Sequence, residues 1–376
     1  MAKTPAVGLK FMKPAVDGGS AAGSTLKPTC LDGIFMLRVR AAGEALDRNA
    51  FSIHGEERLL VDPIASGNDD LVVLRAEGVP DWIVVTNAET SAQSHGIARD
   101  LGARVASGAP TGAGALVPDR ELRDGERIGR AQVYSIKGGA AGQIPLHIAD
   151  ARAIVTGNIL IGEPAGCVRM LSDDRFTSPT EAALSVRRLW ALQPQHVLVG
   201  RGDCVFGNAT ALLGTCLQSR SDVYVNRINL DELEWQQPHE PSRYEAFMAE
   251  VGQSIGARSL GYRLVRLPPG KTFCPLHWHE EDEELFFILD GKATLHTPRG
   301  DFEVRRGDFI AFPTGPIGAH AIRNDGDQEC TVMMLSDNSD GDDICHYPDS
   351  NKVLLSESGL ILRKEPDLDY YDGEHT

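Results

Sequence analysis

Apolar runs alternate with segments of helical periodicity through the first half of the chain. Short apolar runs of this kind are typical of buried strands, and apolar positions at intervals of three or four predict helices packed on them. The predicted strands are 58–61, 82–85, 153–156 and 196–199, and the predicted helices are 94–101 and 179–192. This alternation predicts a layered domain of strands and helices over residues 33–217.

The second half changes to closely spaced short strands with little room for helices. Many strands separated by Gly and Asp turns predict a β-sandwich or barrel. Asp290-Gly291 falls between two of the strands, where a two-residue hairpin turn needs the positive φ that glycine adopts readily. We therefore expect a hairpin there, within strands predicted at 262–267, 284–289, 293–296, 301–304, 309–312, 320–323 and 330–335.

Length and local composition divide the chain further. A chain of 376 residues exceeds one ordinary hydrophobic core and favours two domains. We predict an N-terminal arm at 1–32, a first domain at 33–217, a polar linker at 218–243, an all-β domain at 244–365 and an acidic tail at 366–376. No apolar stretch is long enough to span a bilayer, and the first residues lack the apolar core of a signal peptide.

The net charge limits the classes of partner to expect, and the cysteine content indicates the state of the thiols. The chain has 37 Lys and Arg against 53 Asp and Glu, a formal net charge of −16. A surplus of this size repels phosphate backbones and anionic lipid, so neither nucleic acid nor a membrane is an expected partner. The seven cysteines show no zinc-finger spacing. Reduced thiols in a cytoplasmic protein are the simplest interpretation.

The strongest chemical signal is the sequence His277-Trp278-His279. Side chains two residues apart on a strand lie on the same face, so both imidazoles can reach one ion. Glu284 adds a carboxylate from the next strand, and His320 completes a set of three nitrogens and one oxygen. This set suits one divalent Fe, Mn, Ni, Cu or Zn ion and does not choose among them. An isolated pair of this kind is more often made of ordinary core or surface histidines.

Two longer segments carry a family resemblance. PGKTFCPLHWHEEDEELFFILDG, from Pro269, resembles the first motif of the cupins, and GDFIAFPTGPIGAHAIRN, from Gly307, resembles the second. The resemblance runs from about residue 225 to 353 and implies a jelly-roll barrel with the four ligands pointing inwards. One extra residue before His277 and two extra residues between Gly315 and His320 depart from the pattern. Each insertion lies in a turn, where added length costs little.

The same resemblance implies a pocket beside the ion. Phe286 and Ile288 share a strand face with Glu284 and are candidate substrate-contacting residues, although simple core packing explains them at least as well. Glu283 points to the opposite face and is a poorer candidate ligand. Cys274 lies near the histidines in sequence, but a small buried thiol is its commoner role.

The first domain resembles the metallo-β-lactamase fold, with NAFSIHGEERLLVDP as its opening strands and WIVVTNAETSAQSHG in place of its histidine-rich motif. The metal ligands of that family are missing here. A two-zinc site cannot be assembled from the residues that replace them, which predicts a degenerate domain that does not hydrolyse substrates by the zinc mechanism. The replacing residues are Asn87, Glu89, Ser91, Ala92, Asn158 and Arg201.

The fold class expected is therefore a two-domain α+β chain: an αβ/βα metallo-β-lactamase-like sandwich followed by an all-β cupin barrel. Two functions remain open. The first is a mononuclear metal-dependent enzyme with oxygenase, isomerase or lyase chemistry on a small organic molecule. The second is a metal-containing protein that binds or senses a small ligand without turnover. The cupin resemblance also implies a homodimer.

Overall fold

The computed structural model describes residues 26–40, 43–64, 72, 75–76, 78–109, 117–236, 243–337, 343–356 and 358–364. Most of the predicted arm and the whole predicted acidic tail lie outside these residues. Within them, every strand and helix predicted from the sequence is confirmed, and most of the observed bounds lie within a few residues of the predicted ones. The helix predicted at 94–101, for example, begins six residues earlier.

The N-terminal domain is built on one large mixed sheet. Strands β3, β4, β5 and β6 are neighbours in it, and β11 pairs in parallel with β13. Its strands are β1 Lys27–Pro28, β2 Ile34–Val39, β3 Arg48–Ile53, β4 Leu59–Val61, β5 Trp82–Val85, β6 Arg104–Ser107, β7 Arg120–Glu121, β8 Arg127–Ile128, β9 Ala131–Val133, β10 Leu146–Ile148, β11 Ala153–Gly162, β12 Arg169–Met170, β13 His196–Gly202 and β14 Val205–Phe206. The helices described in full that cover it are α1 Ala88–Leu101, α2 Pro179–Ala191 and α3 Ala209–Gln218.

Both faces of this sheet are buried, which explains the continuous apolar runs. In β4, Leu60 packs with α1 on the outer face, whereas Leu59 and Val61 belong to a separate cluster inside the curled sheet. Helices α2 and α3 cover a further cluster around Trp190 and Leu213. Alternate side chains of one strand therefore enter different apolar layers, as expected for a sheet between helices. The result is an αβ/βα sandwich.

The C-terminal domain is almost entirely β. A five-stranded antiparallel sheet has the order β15-β16-β23-β18-β21, beside sheets of order β20-β19-β22 and β17-β24-β25-β26. Its strands are β15 Phe247–Glu250, β16 Leu260–Leu267, β17 Trp278–His279, β18 Glu284–Asp290, β19 Lys292–Thr297, β20 Gly300–Arg305, β21 Phe309–Phe312, β22 Ala321–Arg323, β23 Cys330–Asp337, β24 Ile344–Tyr347, β25 Lys352–Leu355 and β26 Leu360–Arg363. A short α-helix, α4 Val251–Ile255, lies between β15 and β16.

The hairpin predicted at Asp290-Gly291 is wrong. Gly291 does have positive φ, 78°, but β18 pairs with β21 and β23 whereas β19 pairs with β20 and β22. A side chain at Gly291 would also meet the carbonyl oxygen of Glu329 at 2.6 Å. The turn therefore carries the chain from one sheet to the next, as barrel closure requires, and its glycine is needed for both dihedral and space.

The segment predicted as a linker contains ordered structure in its described part. A 3₁₀ helix spans Leu230–Glu232, and Asn226 Nδ2 donates to the carbonyl of Ile255 at 2.8 Å. Trp190 packs so closely on Gly256 that an added Cβ would lie 2.1 Å from its ring. Helices α2 and α4 are thus in contact. None of the described helices has the length and apolarity to cross a bilayer, and all seven cysteines are free thiols.

Candidate metal centre

Three strand ends bring His277, His279, Glu284 and His320 to one point in the barrel. The backbones of His277 and His320 pair directly, with N–H to O distances of 3.1 and 2.9 Å. Residues opposite each other in an antiparallel pair present side chains on the same face. His279 follows two residues later on β17, and Glu284 begins β18. The structure therefore brings all four predicted ligands together.

The two extra residues before His320 have a structural explanation. The chain makes a 3₁₀ turn at Pro316–Gly318 immediately before this histidine. Gly318 lies against the preceding chain, where a Cβ would come within 1.9 Å of the Pro313 carbonyl oxygen. Gly315 N donates to the carbonyl of His279 at 2.7 Å. The insertion is absorbed in the turn and leaves His320 in register with His277.

The three imidazoles converge on one carboxylate oxygen of Glu284. Glu284 Oε2 lies 3.7 Å from His277 Nε2, 3.4 Å from His279 Nε2 and 3.3 Å from His320 Nε2. Ligand atoms about 2.1 Å from one ion lie about 3.0 Å apart at right angles and about 3.4 Å apart in a tetrahedron. The observed separations fit ligands arranged around a single small cation.

The outer nitrogens of the three imidazoles all face oxygen acceptors. His277 Nδ1 lies 3.0 Å from the Pro275 carbonyl, His320 Nδ1 lies 2.9 Å from the Gly318 carbonyl, and His279 Nδ1 lies 2.6 Å from Asp343 Oδ2. In a neutral ring, an N–H at Nδ1 leaves the lone pair on Nε2. All three lone pairs then point into the centre, the tautomer that metal ligation requires.

The atoms at the centre have no other hydrogen-bond partners. His279 Nε2, His320 Nε2 and Glu284 Oε2 are buried and unpaired, a costly arrangement unless a further group satisfies them. Burial opposes the charge on Glu284, but the three imidazoles that surround the carboxyl hold its pKa below the ordinary value. Burial lowers the pKa of His320 and favours its neutral form. The residues fit a divalent cation in both geometry and charge.

Strand β24 contributes groups that the sequence reasoning missed. The three residues are spaced by two and lie beside the histidines: Asp343 directly before the strand, and Cys345 and Tyr347 within it. Asp343 is buried and also accepts from the backbone N–H of Glu281 at 3.0 Å. Cys345 lies close enough to His277 and His279 to share an ion with them, and Tyr347 stacks on His277 with ring centroids 6.0 Å apart. The alternation of these residues with Ile344 and His346 was the available signal.

The remaining predicted residues lie around the centre. Phe286 is fully buried and contacts His320 edge-on at 5.1 Å, while Ile288 is buried in the same barrel core. Both share a face with Glu284, as the strand period required, and their contact with a bound small molecule stays a prediction. Cys274 lies nearer the centre than its sequence indicated, with Sγ 3.6 Å from His277 Nδ1.

In the N-terminal domain, residues that replace the missing ligands make hydrogen bonds and ion pairs. Asn87 caps α1 by accepting from Glu89 N at 3.1 Å. The Glu89 carboxylate pairs with Arg175 and Arg201, and Asn158 accepts from Gln143 Nε2 at 3.0 Å. Within the described part of this domain, no three His, Cys, Asp or Glu side chains lie close enough to share an ion.

Comparison with known proteins identifies both domains. Residues 37–219 match the model of the metallo-beta-lactamase superfamily, and residues 263–336 match that of the cupin domain. The chain therefore joins a metallo-beta-lactamase superfamily domain to a cupin domain. Its metal-dependent cupin character rests on this match and on the side-chain cluster in the barrel.

Individual relatives cover only parts of the chain. An oxalate-binding protein of Thermotoga maritima is 30% identical over 71 residues, which are 19% of this chain and 56% of that protein. The chain spans about half the length of the curated relatives it matches. Among solved structures, a putative sugar phosphate isomerase of Acidithiobacillus ferrooxidans is 24% identical over 39% of this chain and 96% of its own, with a TM-score of 0.35. A metallo-beta-lactamase of Pontibacter korlensis is 13% identical over 52% of this chain and 100% of its own, with a TM-score of 0.43.

Proposed function

We propose that the chain is a mononuclear metal-dependent cupin enzyme that acts on a small organic molecule, with oxygenase, isomerase or lyase chemistry. His277, His279, Glu284 and His320 are the proposed ligands of one divalent Fe, Mn, Ni, Cu or Zn ion. The observation that carries the proposal is the convergence of three imidazole Nε2 atoms on Glu284 Oε2, within 3.7 Å, while their Nδ1 atoms face oxygen acceptors.

The protein surroundings fix the ligands and leave two of them, His279 and Glu284, partly accessible. Phe312 stacks on His320, with ring centroids 3.6 Å apart, and holds that imidazole against the barrel wall. The His320 side chain is 1% exposed. His279 and Glu284 each keep 17% of their side-chain surface accessible. A small molecule therefore approaches from the side of His279 and Glu284. A bound divalent ion would supply Lewis acidity toward an oxygen of that molecule.

Residues around the four ligands have distinct roles in this proposal. Asp343 orients His279 by accepting a hydrogen bond from its Nδ1–H. Phe286 and Ile288 form an apolar wall that excludes water from the inner side of the centre. We expect the N-terminal domain to bind no zinc, and it contacts the barrel domain through α2 and α4. We extend the proposal to a homodimer in the cytoplasm with no nucleic-acid or membrane partner.

The alternative is a metal-containing binding or sensing protein without turnover. The similarity to an oxalate-binding protein over 71 residues favours this alternative. It predicts a small dicarboxylate as ligand, because two carboxylates can occupy the open side of one cation. Substrate conversion separates the two functions.

The test uses purified chain loaded separately with Mn, Fe or Zn and incubated with oxalate and with panels of small oxo- and hydroxy-acids. Binding is followed by calorimetry, products by mass spectrometry, and oxygen use by an electrode. The enzyme proposal expects product formation that disappears in the variant His277→Ala/His279→Ala and persists in His95→Ala/His147→Ala, which removes two histidines elsewhere. Saturable binding of oxalate without any product favours the alternative. Equal conversion by both variants refutes a reaction at this centre.

A further inference from the structure

A cleft of about 450 Å³ lies where the two domains meet, away from the barrel centre. One wall comes from the loop before β13 and the start of α3, and the other from α4 and the start of β16. Its volume is in the range of small-molecule sites, which also occur preferentially at domain junctions. Nothing in the proposed barrel chemistry uses it.

The cleft contains two positive charges without a carboxylate partner in the described part of the chain, although the chain as a whole is acidic. Arg152 and Arg258 line opposite walls, and neither has a carboxylate partner among the described residues. Glu250, the acidic residue of the lining, is held by Arg263 at 2.7 Å. In a chain with a net charge of −16, two arginines without counter-ions in one cleft form a local positive field. Burial, and next the charge of Arg152, lower the pKa of the neighbouring His196.

The backbone around the cleft is strained. Five non-glycine residues of the described chain have positive φ, and three of them line this cleft: Arg152 at 48°, Gln193 at 50° and Asn208 at 58°. Left-handed residues of this kind are energetically unfavourable, and they cluster at ligand clamps. Two hydrogen bonds stabilise the left-handed conformation of Arg152, because its carbonyl accepts from the backbone N–H groups of Gln195 and His196.

Several of the remaining lining residues are polar and suited to hydroxyl groups. Gln193, Gln195, Asn208 and Gln253 present side-chain amides, and Tyr262 adds a phenol. Amides donate to and accept from hydroxyls at the same time. A phosphate ester carries about two negative charges, which matches two guanidinium groups, whereas a single carboxylate carries one.

We propose that this interdomain cleft binds a small phosphorylated polyol, with Arg152 and Arg258 on the phosphate and the amide side chains on the hydroxyls. Because the site uses residues from both domains, its ligand also ties the domains together. This site is separate from the barrel metal and does not depend on the function proposed for it.

The test is calorimetric titration of the full chain with glucose 6-phosphate, inorganic phosphate and glucose. The background is His277→Ala/His279→Ala, so that phosphate binding to a barrel metal does not contribute. We expect millimolar or tighter binding of glucose 6-phosphate, weaker binding of inorganic phosphate, and none of glucose. Replacement of both arginines in Arg152→Gln/Arg258→Gln should weaken the binding of glucose 6-phosphate by at least about tenfold, the loss of one charge-assisted hydrogen bond or more.

The matched control is Arg99→Gln/Arg299→Gln, which removes the same charge from exposed positions, one in each domain. The single variant Arg258→Gln, checked for folding by circular dichroism, covers the case in which the double variant fails to fold. Arg258→Gln should weaken the binding of glucose 6-phosphate severalfold. The proposal is overturned if the parent shows no binding of either phosphate compound, or if the cleft variants and the control bind glucose 6-phosphate equally well.

Discussion

Replacement of Asp343 by asparagine tests how the barrel holds His279. The carboxylate accepts from His279 Nδ1 at 2.6 Å and from the backbone N–H groups of Glu281 and Asp282 at 3.0 and 3.4 Å. An asparagine that keeps its oxygen toward Glu281 turns its NH₂ toward His279. The imidazole must then move its proton to Nε2, where it blocks the ion. The opposite orientation of the amide sets NH₂ against the two backbone donors.

Either orientation removes a buried, charge-assisted hydrogen bond from a metal-ligating histidine. Loss of such a partner weakens metal affinity by about 10- to 100-fold, which is about 1.4–2.7 kcal/mol. We expect the zinc affinity of Asp343→Asn to fall by this factor. The measurement is competition for zinc with a chromophoric chelator, next to a urea melt that reports folding separately.

The chain offers a matched control for this variant. Asp301 makes an equivalent contact with His296 Nδ1, also at 2.6 Å, but on the exposed surface of the same domain. Asp301→Asn should leave zinc affinity unchanged within about twofold, since surface pairs contribute little. Equal affinities in Asp343→Asn and in the parent protein would refute the reasoning.

Two further predictions concern one side chain in each domain. Asn324→Ala should lower the free energy of unfolding by roughly 2–4 kcal/mol, because the buried amide donates to Leu267 O and Gln328 O and accepts from Gly326 N; a urea midpoint equal to that of the parent would contradict this. Burial raises the pKa of the Cys204 thiol to about 12, so Cys204 should resist iodoacetamide at pH 8 while the exposed Cys30 and Cys167 react; rapid labelling of Cys204 in the folded protein, read by peptide mass spectrometry, would contradict it.

The sequence predicted the local elements well because burial on one or two faces imposes a clear period. In β18, Glu284, Phe286 and Ile288 had to share a face, and they do. The connection at Asp290-Gly291 was mispredicted because a turn motif reports a dihedral angle and not the sheet to which the next strand pairs. Strand exchange between sheets is decided by barrel closure over distant residues.

The four candidate ligands could be predicted because they occur in two short motifs with fixed spacing. Asp343 was not found, since it lies 64 residues beyond His279 and has no motif of its own. Its role follows only from the pairing of β17 with β24. The interdomain cleft could not be predicted for the same reason. In the sequence, Arg152 and Arg258 resemble ordinary surface arginines, and only the contact between the domains brings them into one cleft.

The central claim is one metal ion in the barrel and none in the N-terminal domain. Elemental analysis of tag-free protein, after reconstitution with each candidate metal and removal of excess, tests it most directly. We predict about one equivalent in the parent protein, in Asn87→Ala and in His95→Ala/His147→Ala, and almost none in His277→Ala/His279→Ala. Absence of metal from the parent protein, or a full equivalent of zinc retained by His277→Ala/His279→Ala, would contradict the account.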